Sequence, residues 1–499
     1  MSVETIRLVG TPNPVTSVRP WTRPFHISLP SLRLRVSERK LLLFLVDALL
    51  INGALLVALV LWTDFVISAE MLLAYFRWFV MLTLVWLLCA LFFDCYDLAR
   101  AASTPHSVRS SSMAALTAVL VYTLIPFLTP PLQSRGLIFL FVGLALGGIA
   151  GWRAVYAQIF IQPWFEQRAL VVGAGIAGRR LAAALKTAPA EANPFRGTGY
   201  QLVAFVDDNP DRIGTTIEGV PVLDERGVLV SLAQALEVDE VILAITNRHA
   251  IADDLFDAIL RCRELGLRVT TMPALYERLL GRVPVDHLGR DLHMVVPMED
   301  TAVERFYGAA KRGYDLILAL VGVLVVGILA PFVALGNAIT SPGPLFYRQQ
   351  RVGKGGRCFE KLKFRSMVPD AEGDGSAVWA DEDDPRVTPV GRWLRRTRLD
   401  ELPQFINVLR GEMSLIGPRP ERPEFTDNLA RTVPFYRARH AVRPGISGWA
   451  QVRYRYGNSA EDAEIKLEYD LYYVKHASLF LDLRILLLTI PVMLQFIGY

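Results

Sequence analysis

Four long apolar segments near the N-terminus constrain the fold of this chain more than any other feature. They are Leu41–Trp62, Met71–Phe93, roughly Met113–Leu132, and Gly136–Trp152. Each is close to the ~20 residues with which an α-helix crosses about 30 Å of hydrocarbon. Lipid offers no partners for backbone N–H and C=O groups, so each segment is expected to be helical. Apolar residues make up 52% of the 499 residues and charged residues 20%, which excludes a disordered chain and is unusual for a soluble domain.

The distribution of positive charge predicts how these helices are oriented. Residues 1–40 contain seven Arg and Lys residues, whereas the loop of residues 63–70 contains none. The next loop carries Arg100 and Arg109, and the fourth segment is followed by Arg153 and Arg168, whereas Arg135 in the short third loop runs against the trend. Because cytoplasmic loops are enriched in Arg and Lys, we expect a basic cytoplasmic tail (1–40) and a four-helix transmembrane bundle (41–152) with both ends in the cytoplasm. The expected location is therefore a membrane.

Charge and cysteine content exclude several other classes of protein. Arg and Lys together (53) exceed Asp and Glu (49) by only 4, and we expect no nucleic-acid partner. Four cysteines without a CxxC pair predict neither a disulfide scaffold nor a zinc site. Asp47 and Arg77 lie inside the apolar segments, where a charge is either functional or structural. We expect them to be structural, pairing or snorkelling between helices.

Residues 168–298 have the pattern of a Rossmann-like α/β domain. Alternating strands and helices predict a parallel sheet covered on both faces. The predicted strands are Arg168–Val172, Gln201–Val206, Val241–Ile245 and Leu267–Thr271, and the predicted helices are Arg179–Leu185 and Ile251–Leu265.

A glycine-rich loop follows the first of these strands. Gly173, Gly175 and Gly178 form a GxGxxG motif, and Asp207 follows 29 residues after Gly178. Such a loop lets backbone N–H groups approach a pyrophosphate, so it is a possible nucleotide loop. The alternative is that the glycines only permit tight helix–strand packing. Because no supporting catalytic set follows, we expect this domain to have a regulatory or assembly role.

A second motif favours a different class of enzyme. Tyr307 and Lys311 match the YxxxK pair of short-chain dehydrogenases, which together with the glycine loop would suggest a membrane-anchored NAD-dependent nucleotide-sugar dehydratase or epimerase. Lys311 leads directly into an uncharged run, however, which favours the simpler interpretation of a juxtamembrane charge.

The uncharged run Leu316–Leu335 is long enough to span a membrane, but it is basic on both flanks. A crossing helix should show an asymmetry of charge. Pro331 lies inside the run and should break or kink the helix. We therefore expect a re-entrant helix over residues 313–339, broken at Ala330 and Pro331, with a fifth full span as the alternative. The segment Leu479–Tyr499 is apolar but carries Asp482 and Arg484, which predicts a helix lying in the membrane interface.

The most chemically informative segment is rich in arginine and ends in two adjacent carboxylates. Five arginines fall within thirteen residues, and Asp400 and Glu401 follow at once. Pro403 fits only a first helical turn, which predicts a helix N-terminus at the carboxylates, where bound anions are favoured. Two carboxylates beside phosphate oxygens suit Mg²⁺, and a carboxylate can also act as a nucleophile. The alternative is a surface cluster of salt bridges.

Eight motifs in a fixed order then identify a family resemblance. They are Lys311-Arg-Gly-Tyr-Asp315, Ser341-Pro-Gly-Pro344, Lys363-Phe-Arg-Ser-Met367, Asp384-Pro-Arg386, Leu399-Asp-Glu-Leu-Pro-Gln404, Gly417-Pro-Arg-Pro420, Arg443-Pro-Gly-Ile-Ser-Gly-Trp-Ala-Gln-Val452 and Asp470-Leu-Tyr-Tyr473. This set resembles the bacterial polyprenyl-phosphate hexose-1-phosphate transferases, the monotopic phosphoglycosyl transferases. It covers residues 311–499, and the bundle and Rossmann-like domain resemble the long form of that family.

The resemblance implies a fold, a reaction and a set of site residues. The fold would be an α-helical membrane bundle, an α/β Rossmann-like domain and an α-rich monotopic catalytic domain. Asp400 would attack the β-phosphate of a UDP-sugar and release UMP, and Glu401 would help to hold Mg²⁺. Undecaprenyl phosphate in the lipid bilayer would then accept the sugar phosphate, as the first membrane step of exopolysaccharide or O-antigen-type synthesis. The resemblance also implies a location in the bacterial inner (cytoplasmic) membrane, with the catalytic domain on the cytoplasmic face. The phosphate- or nucleotide-binding residues matched by motif are Arg395, Arg419, Lys363, Arg365, Arg443, Gln451 and Asp470.

Several properties stay open at this point. No residue identifies the sugar, and the oligomeric state is unassigned, with a homodimer as one alternative. A membrane scaffold with an inactive transferase half is a third reading, and the intact Asp400–Glu401 pair with Arg395 and Arg419 argues against it.

Overall fold

The three units expected from the sequence follow one another along the chain. In this computed structural model, the described residues are 36–62, 68–101, 103–124, 135–159, 167–185, 200–224, 228–245, 252–285, 301–369, 384–454 and 460–494, with Thr129 and Ala371. Most of the predicted basic tail and the ends of the predicted domains at residues 286–298 and 495–499 lie outside this set.

The first unit is a bundle of helices. Its elements are α1 (Val36–Trp62), α2 (Ala69–Ala74), α3 (Phe76–Phe92), α4 (Leu98–Ala101), α5 (Thr104–Leu124) and α6 (Arg135–Ile159). Residues such as Leu55, Trp86 and Phe141 pack in its core, while other apolar side chains such as Leu49 stay exposed. Within the described part of the chain, α1 and α6 are long and apolar enough to cross a membrane, whereas α3 is an apolar helix of only 17 residues.

The charges inside the bundle have different environments. Asp47 is fully buried and pairs with Arg153, whose guanidinium lies 2.5 Å away and also donates to the carbonyl of Cys95. Arg77 is exposed on α3. Burying a charge is costly unless it is paired, so the Asp47–Arg153 pair confirms the structural role expected for Asp47. The four cysteines are free thiols in the structure.

The second unit is a six-stranded sheet with helices on both faces. Its elements are β1 (Gln167–Val172), α7 (Ile176–Leu185), β2 (Tyr200–Asp207), β3 (Thr216–Ile217), β4 (Val220–Asp224), α8 (Leu229–Ala235), β5 (Glu240–Leu243), α9 (Asp253–Glu264), β6 (Arg268–Thr271) and α10 (Met272–Leu280). The strand order is β3-β4-β2-β1-β5-β6, and all pairs are parallel except β3 with β4. All four predicted strands are found, and β3 and β4 are additional.

Alternation along β1 explains why helices cover both faces of this sheet. Ala169 and Val171 pack with residues of α7 and α10, whereas Leu170 and Val172 pack with residues of α8 and α9. Successive side chains of a strand point to opposite faces, so an apolar run must be covered twice.

The third unit carries the transferase-like motifs. Its elements are α11 (Ala302–Thr340), β7 (Phe346–Val352), β8 (Cys358–Phe364), α12 (Pro389–Arg396), α13 (Gln404–Arg410), β9 (Ser414–Ile416), α14 (Pro423–Thr432), β10 (Gly445–Ser447), α15 (Trp449–Arg453), α16 (Ala460–His476) and α17 (Leu479–Leu494). β7 and β8 form an antiparallel hairpin, and β9 pairs in parallel with β10.

Helix α11 differs from the expected re-entrant element in being uninterrupted. It begins at a capping box formed by Thr301 and Glu304 and continues through Pro331 to Thr340. The helix is therefore not interrupted at Ala330 and Pro331, and a kink at this point stays a prediction. Proline removes only the hydrogen bond to the carbonyl four residues earlier, and packing on both sides of it can maintain the helix.

That packing forms one stripe along α11. The buried residues of the helix are Asp315, Ala319, Gly322, Val326, Val333 and Asn337. Most of the other apolar side chains, such as Ile328 and Phe332, are exposed. At Gly322 the contact is so close that an added Cβ would lie 2.4 Å from the ring of Phe405 on α13.

Buried ion pairs join the three units. Glu468 of α16 pairs with Arg180 of α7 at 2.5 Å, and Lys475 pairs with Glu277 of α10 at 2.8 Å. Arg453 in turn pairs with Asp94 of the bundle at 3.0 Å. The third unit therefore contacts both of the others through charged side chains.

Candidate active site

The two adjacent carboxylates lie in a tight turn between two short helices. Thr388 caps α12 by accepting a hydrogen bond from the N–H of Gly391. Arg398 then adopts a left-handed conformation with φ of 57°, and a 3₁₀ turn covers Leu399–Glu401. Pro403 comes directly before α13, as its missing N–H predicts. This turn places Asp400 and Glu401 against strand β8.

Two cations converge on the carboxylates. Lys363 Nζ of β8 lies 2.9 Å from Glu401 Oε1 and 3.4 Å from Asp400 Oδ2. Arg419 Nη2 donates to the same Glu401 oxygen at 2.9 Å. Asp400 itself is only 6% exposed. The structure therefore brings together four of the predicted site residues, although they come from three separate segments.

The charge state of Glu401 follows from these neighbours. Burial alone would raise the pKa of Glu401, but Arg419, Lys363 and Lys361 together outweigh burial and hold this pKa well below its usual range. Glu401 is therefore ionised at any physiological pH and keeps the two cations in place.

A buried ion pair supports Arg419 from behind. Arg439 Nη2 donates to the carbonyl of Arg419 at 2.8 Å and pairs with Asp470 Oδ2 at 2.7 Å. Asp470 is 2% exposed. The structure therefore gives Asp470 a guanidinium partner, so it orients the loop that carries Arg419 rather than facing the two carboxylates.

The arginines before the carboxylates have separate tasks. Arg395 Nε donates to Ser366 Oγ at 3.0 Å, and burial lowers the pKa of Arg395 while the Asp400 charge opposes that shift. Arg386 instead binds Asp384 with two nitrogens, and these hydrogen bonds lower the pKa of Asp384 to about 2. Arg395 is thus the member of this group with an electrostatic link to Asp400.

Three other predicted site residues contact different parts of the chain. Arg365 donates to Ser341 and to the carbonyl of Pro344, which ties down the segment after α11. Gln451 donates to the carbonyl of Ile446 at 3.3 Å. Arg443 is exposed. The hydrogen bonds of Arg365 and Gln451 are therefore structural ones, made to neighbouring loops.

Two buried polar residues were not predicted from the sequence. Lys361 lies two residues before Lys363 on β8, is 2% exposed, and burial holds its pKa well below the usual value. Gln404 of α13 is completely buried, and neither atom of its amide group has a hydrogen-bond partner among the described residues. The strand pattern could have suggested that Lys361 and Lys363 share a face, but not that Lys361 is buried.

The carboxylates are also the groups that could hold Mg²⁺. Among the described residues, there is no cluster of three or more His, Cys, Asp or Glu side chains suited to a metal ion. A site built from one or two carboxylates completed by substrate phosphate oxygens is, however, the arrangement that Mg²⁺ commonly takes. The donor set of Asp400 and Glu401 fits that arrangement.

The glycine loop is organised differently. The backbone N–H of Ala174 donates to Asp207 Oδ2 at 2.6 Å, and Arg212 Nη1 lies 3.1 Å from the same oxygen. A Cβ on Gly178 would lie 2.2 Å from the carbonyl oxygen of Gly173. The glycines therefore permit tight packing, and a carboxylate of the chain accepts one of the loop's N–H groups.

The YxxxK pair belongs to the third unit and not to the sheet. Tyr307 and Lys311 both donate to Asp482 Oδ2, at 2.8 and 3.0 Å. Tyr314 and Tyr473 donate to the same carboxylate, which joins α17 to α11. This pair is thus part of a buried structural network, and no contact of it favours a dehydrogenase.

Two family models match this chain, and their ranges correspond to the third unit and to a segment that includes most of the sheet unit. A family model described as "Bacterial sugar transferase" matches residues 306–496, and one described as "CoA-binding domain" matches residues 91–273. A solved structure of a Rex-family repressor is 20% identical, covers 25% of this chain and 52% of its own, and has a TM-score of 0.18, which supports no conclusion.

Three curated relatives are transferases. The UDP-N-acetylgalactosamine-undecaprenyl-phosphate N-acetylgalactosaminephosphotransferase of Aeromonas hydrophila is 40% identical over 61% of this chain and 69% of its own. The UDP-glucose:undecaprenyl-phosphate glucose-1-phosphate transferase of Escherichia coli is 41% identical over 39% of this chain and 42% of its own. The enzyme of the same name from Xanthomonas campestris is 33% identical over 60% of this chain and 61% of its own. The chain thus spans less than two thirds of the last two.

These matches define the class of protein as an enzyme, a membrane-associated transferase. More narrowly, the chain belongs to the bacterial sugar transferase family, as the motifs from Lys311 onward predict.

Proposed function

We propose that this chain transfers a sugar 1-phosphate from a UDP-sugar to undecaprenyl phosphate through a covalent aspartyl intermediate and releases UMP. The observation that carries this proposal is a nearly buried Asp400 that pairs with Lys363, next to a Glu401 that pairs with both Lys363 and Arg419. The relatives named above act on undecaprenyl phosphate, which supports the same acceptor for this chain. Lipid-linked glycan synthesis is the corresponding process.

In the first step, a carboxylate oxygen of Asp400 attacks the β-phosphorus of the donor. A bond forms between that oxygen and phosphorus, and the bond from the β-phosphorus to the bridging oxygen breaks. UMP leaves with the bridging oxygen and its electron pair. The sugar phosphate stays on Asp400 as an acyl phosphate.

In the second step, an oxygen of the lipid phosphate attacks the same phosphorus. The acyl phosphate bond breaks, and Asp400 returns as a carboxylate. The product is a lipid diphosphate sugar. Because the nucleophile is regenerated, each turnover consumes one donor and one acceptor and needs no other reactant.

Lys363 and Arg419 supply the positive charge for both steps. Each lies within 3 Å of Glu401, so the carboxylate holds both cations at fixed positions beside Asp400. Fixed cations stabilise the charge that develops on phosphate oxygens without reorganising. Arg419 offers a forked donor suited to phosphate. Mg²⁺, held by Asp400 and Glu401, would neutralise donor phosphate charge.

We also propose that α11 is a half-inserted helix held in the cytoplasmic leaflet, bent but not interrupted at Pro331, and that it does not cross the membrane. Asp315 near one end accepts from Leu415 N–H at 3.0 Å, and Asn337 near the other end packs beside Arg365. Both partners belong to the third unit, and Gly322 and Val333 between these two ends also pack against it. A helix that crossed the bilayer would separate them by the hydrocarbon core, so this packing favours a half-inserted helix.

Asp400→Asn in purified membranes tests the reaction. We expect UMP release from UDP-sugars to fall by about 10³-fold or more, because the amide is not a nucleophile. Asp427→Asn is the matched control, since Asp427 is an exposed residue of α14. The sugar is identified in the same assay by presenting a panel of UDP-sugars to the unmodified chain.

Trapping of the intermediate gives a second readout. Incubation with the donor alone should add the mass of a sugar phosphate to the peptide containing Asp400. Unchanged UMP release by Asp400→Asn at normal expression would remove this residue from the nucleophile role.

A further inference from the structure

Lys361 is a buried lysine of strand β8, and the reaction proposed above does not use it. In a strand, residues i and i+2 lie on the same face, so Lys361 faces the same side as Lys363. Lys363 contacts Glu401 on that side. Lys361 is 2% exposed, and its ammonium group makes no hydrogen bond or ion pair with any residue that the structure describes.

The surrounding charges make this arrangement unfavourable in the free protein. Glu401 Oε1 is already contacted by Lys363 and Arg419, at 2.9 Å each. Arg351, another nearby cation, pairs with Glu421 at 3.5 Å. Lys361 lies in the electrostatic field of Arg419, Lys363 and Arg351, with Glu401 as its nearby counter-charge. Burying a charge without a partner is destabilising, and an apolar side chain would fill the same space at lower cost.

We propose that Lys361 binds a phosphate group of the substrates, acting as a further phosphate-contacting residue behind Glu401. An amino group in the electrostatic field of Arg419, Lys363 and Glu401 has no acceptor of its own among the described residues, and a phosphate oxygen bound among these side chains would supply one. Phosphate carries several acceptor oxygens and negative charge, and charge-assisted hydrogen bonds to it are stronger than neutral ones. This inference rests on the proposed function and assigns a residue that the family motifs do not include.

The phosphate could come from the soluble donor or from the lipid acceptor, and separate titrations distinguish them. We suggest the variants Lys361→Met and Lys361→Arg in the full-length chain in lipid nanodiscs. Arg348→Met is the matched control, because Arg348 is an exposed cation on the same hairpin. Dissociation constants are measured for UDP alone and for undecaprenyl phosphate alone, neither of which requires turnover.

We expect Lys361→Met to weaken binding of one of the two probes by about 10- to 100-fold, as for loss of a charged hydrogen bond. Lys361→Arg should retain most of the affinity, and Arg348→Met should stay within twofold of the unmodified chain. A raised melting temperature of Lys361→Met is also expected, because the variant removes a buried charge without a partner. Weakening of UDP binding assigns the donor phosphate, and weakening of lipid binding assigns the acceptor phosphate.

Unchanged dissociation constants for both probes in Lys361→Met would overturn the assignment. A lowered melting temperature with unchanged affinities would show a purely structural lysine instead. If Lys361→Met does not fold, Lys361→Gln provides the same comparison, because it removes the charge and retains polar atoms.

Failure of this inference and failure of the proposed reaction are distinguishable. Normal probe binding by Lys361→Met, with loss of transfer in Asp400→Asn, would reject only the role of Lys361. Weak probe binding by Lys361→Met, with no transfer by the unmodified chain from any UDP-sugar, would reject only the reaction. No binding of either probe to the unmodified chain would reject both.

Discussion

The glycine loop of the sheet and the carboxylate turn of the third unit are both candidate phosphate sites. They differ in whether the hydrogen-bond donors around them already have an acceptor within the chain. In the loop, the Ala174 N–H and Arg212 both donate to Asp207 of the same unit. Beside the turn, Lys361 of β8 has no hydrogen-bond or ion-pair partner among the described residues, and the amide group of Gln404 in α13 has none either. A phosphate site is therefore better recognised by the donors that remain without a partner than by the number of donors.

The largest difference between the two regions should be seen when one arginine is removed from each. Arg419→Met should lower transfer by about 10²- to 10³-fold, as for loss of a fixed charge that stabilises a transition state. Arg212→Met should leave transfer within about twofold, because Arg212 only pairs with Asp207. Initial rates of UMP release at matched expression check both values. Equal losses in the two variants would contradict the separation of roles.

A smaller effect is expected from adding a methyl group inside the glycine loop. Gly178→Ala places a Cβ 2.2 Å from the carbonyl of Gly173 and 3.1 Å from Phe205, so we expect about 3 kcal/mol of destabilisation of the sheet unit. Gly175→Ala is the control, because the atom nearest its Cβ is the flexible end of Arg212 at 3.5 Å. Chemical unfolding measures both, and equal stability of the two variants would show that the loop is not closely packed.

The smallest effect concerns the ion pair between Glu468 and Arg180, which joins the third unit to the sheet unit. Burial raises the pKa of Glu468 to about 7, although Arg180 and Arg282 oppose the shift. The folded state therefore keeps a proton that the unfolded chain loses near its ordinary value of 4.5, and stability should fall as pH rises from about 4.5 to about 7. Glu468→Gln should remove this dependence, which we expect to be about 2 °C in melting temperature. Glu424→Gln serves as the control, because Glu424 is an exposed residue of α14, and an identical pH profile in the two variants would refute the assignment.

The sequence predicted the parts of the fold that depend on apolar pattern. The strands β1, β2, β5 and β6 are continuous apolar or β-branched runs, and the structure has all of them. It did not predict β3 and β4, because β3 has only two residues. Glu218 and Gly219, both with positive φ, form the tight turn between these strands. The continuity of α11 through Pro331 was also missed, because it depends on packing against the third unit.

The structure brings four of the predicted site residues together: Asp400, Glu401, Lys363 and Arg419 form ion pairs with one another, and their roles in the reaction stay predictions. The sequence does not show that Ser341 and Arg439 contact the charged groups of Arg365 and Asp470, and the phosphate-binding roles of these two residues also stay predictions. From the sequence alone, Lys361 is indistinguishable from an exposed lysine on an edge strand. Only the tertiary structure shows that it is buried.

The contact between Gly322 and Phe405 has a mechanical consequence. At this point the ring of Phe405 lies directly against the backbone of α11, so the two helices cannot slide past one another without steric overlap. Phe405 follows Asp400 by five residues. If α11 is held in the cytoplasmic leaflet as proposed above, its immersion depth sets the height of Asp400 above the lipid headgroups. A bilayer of altered thickness would then shift α11 and Asp400 together as one rigid body, and Asp400 would keep its distance from an acceptor anchored in the same leaflet.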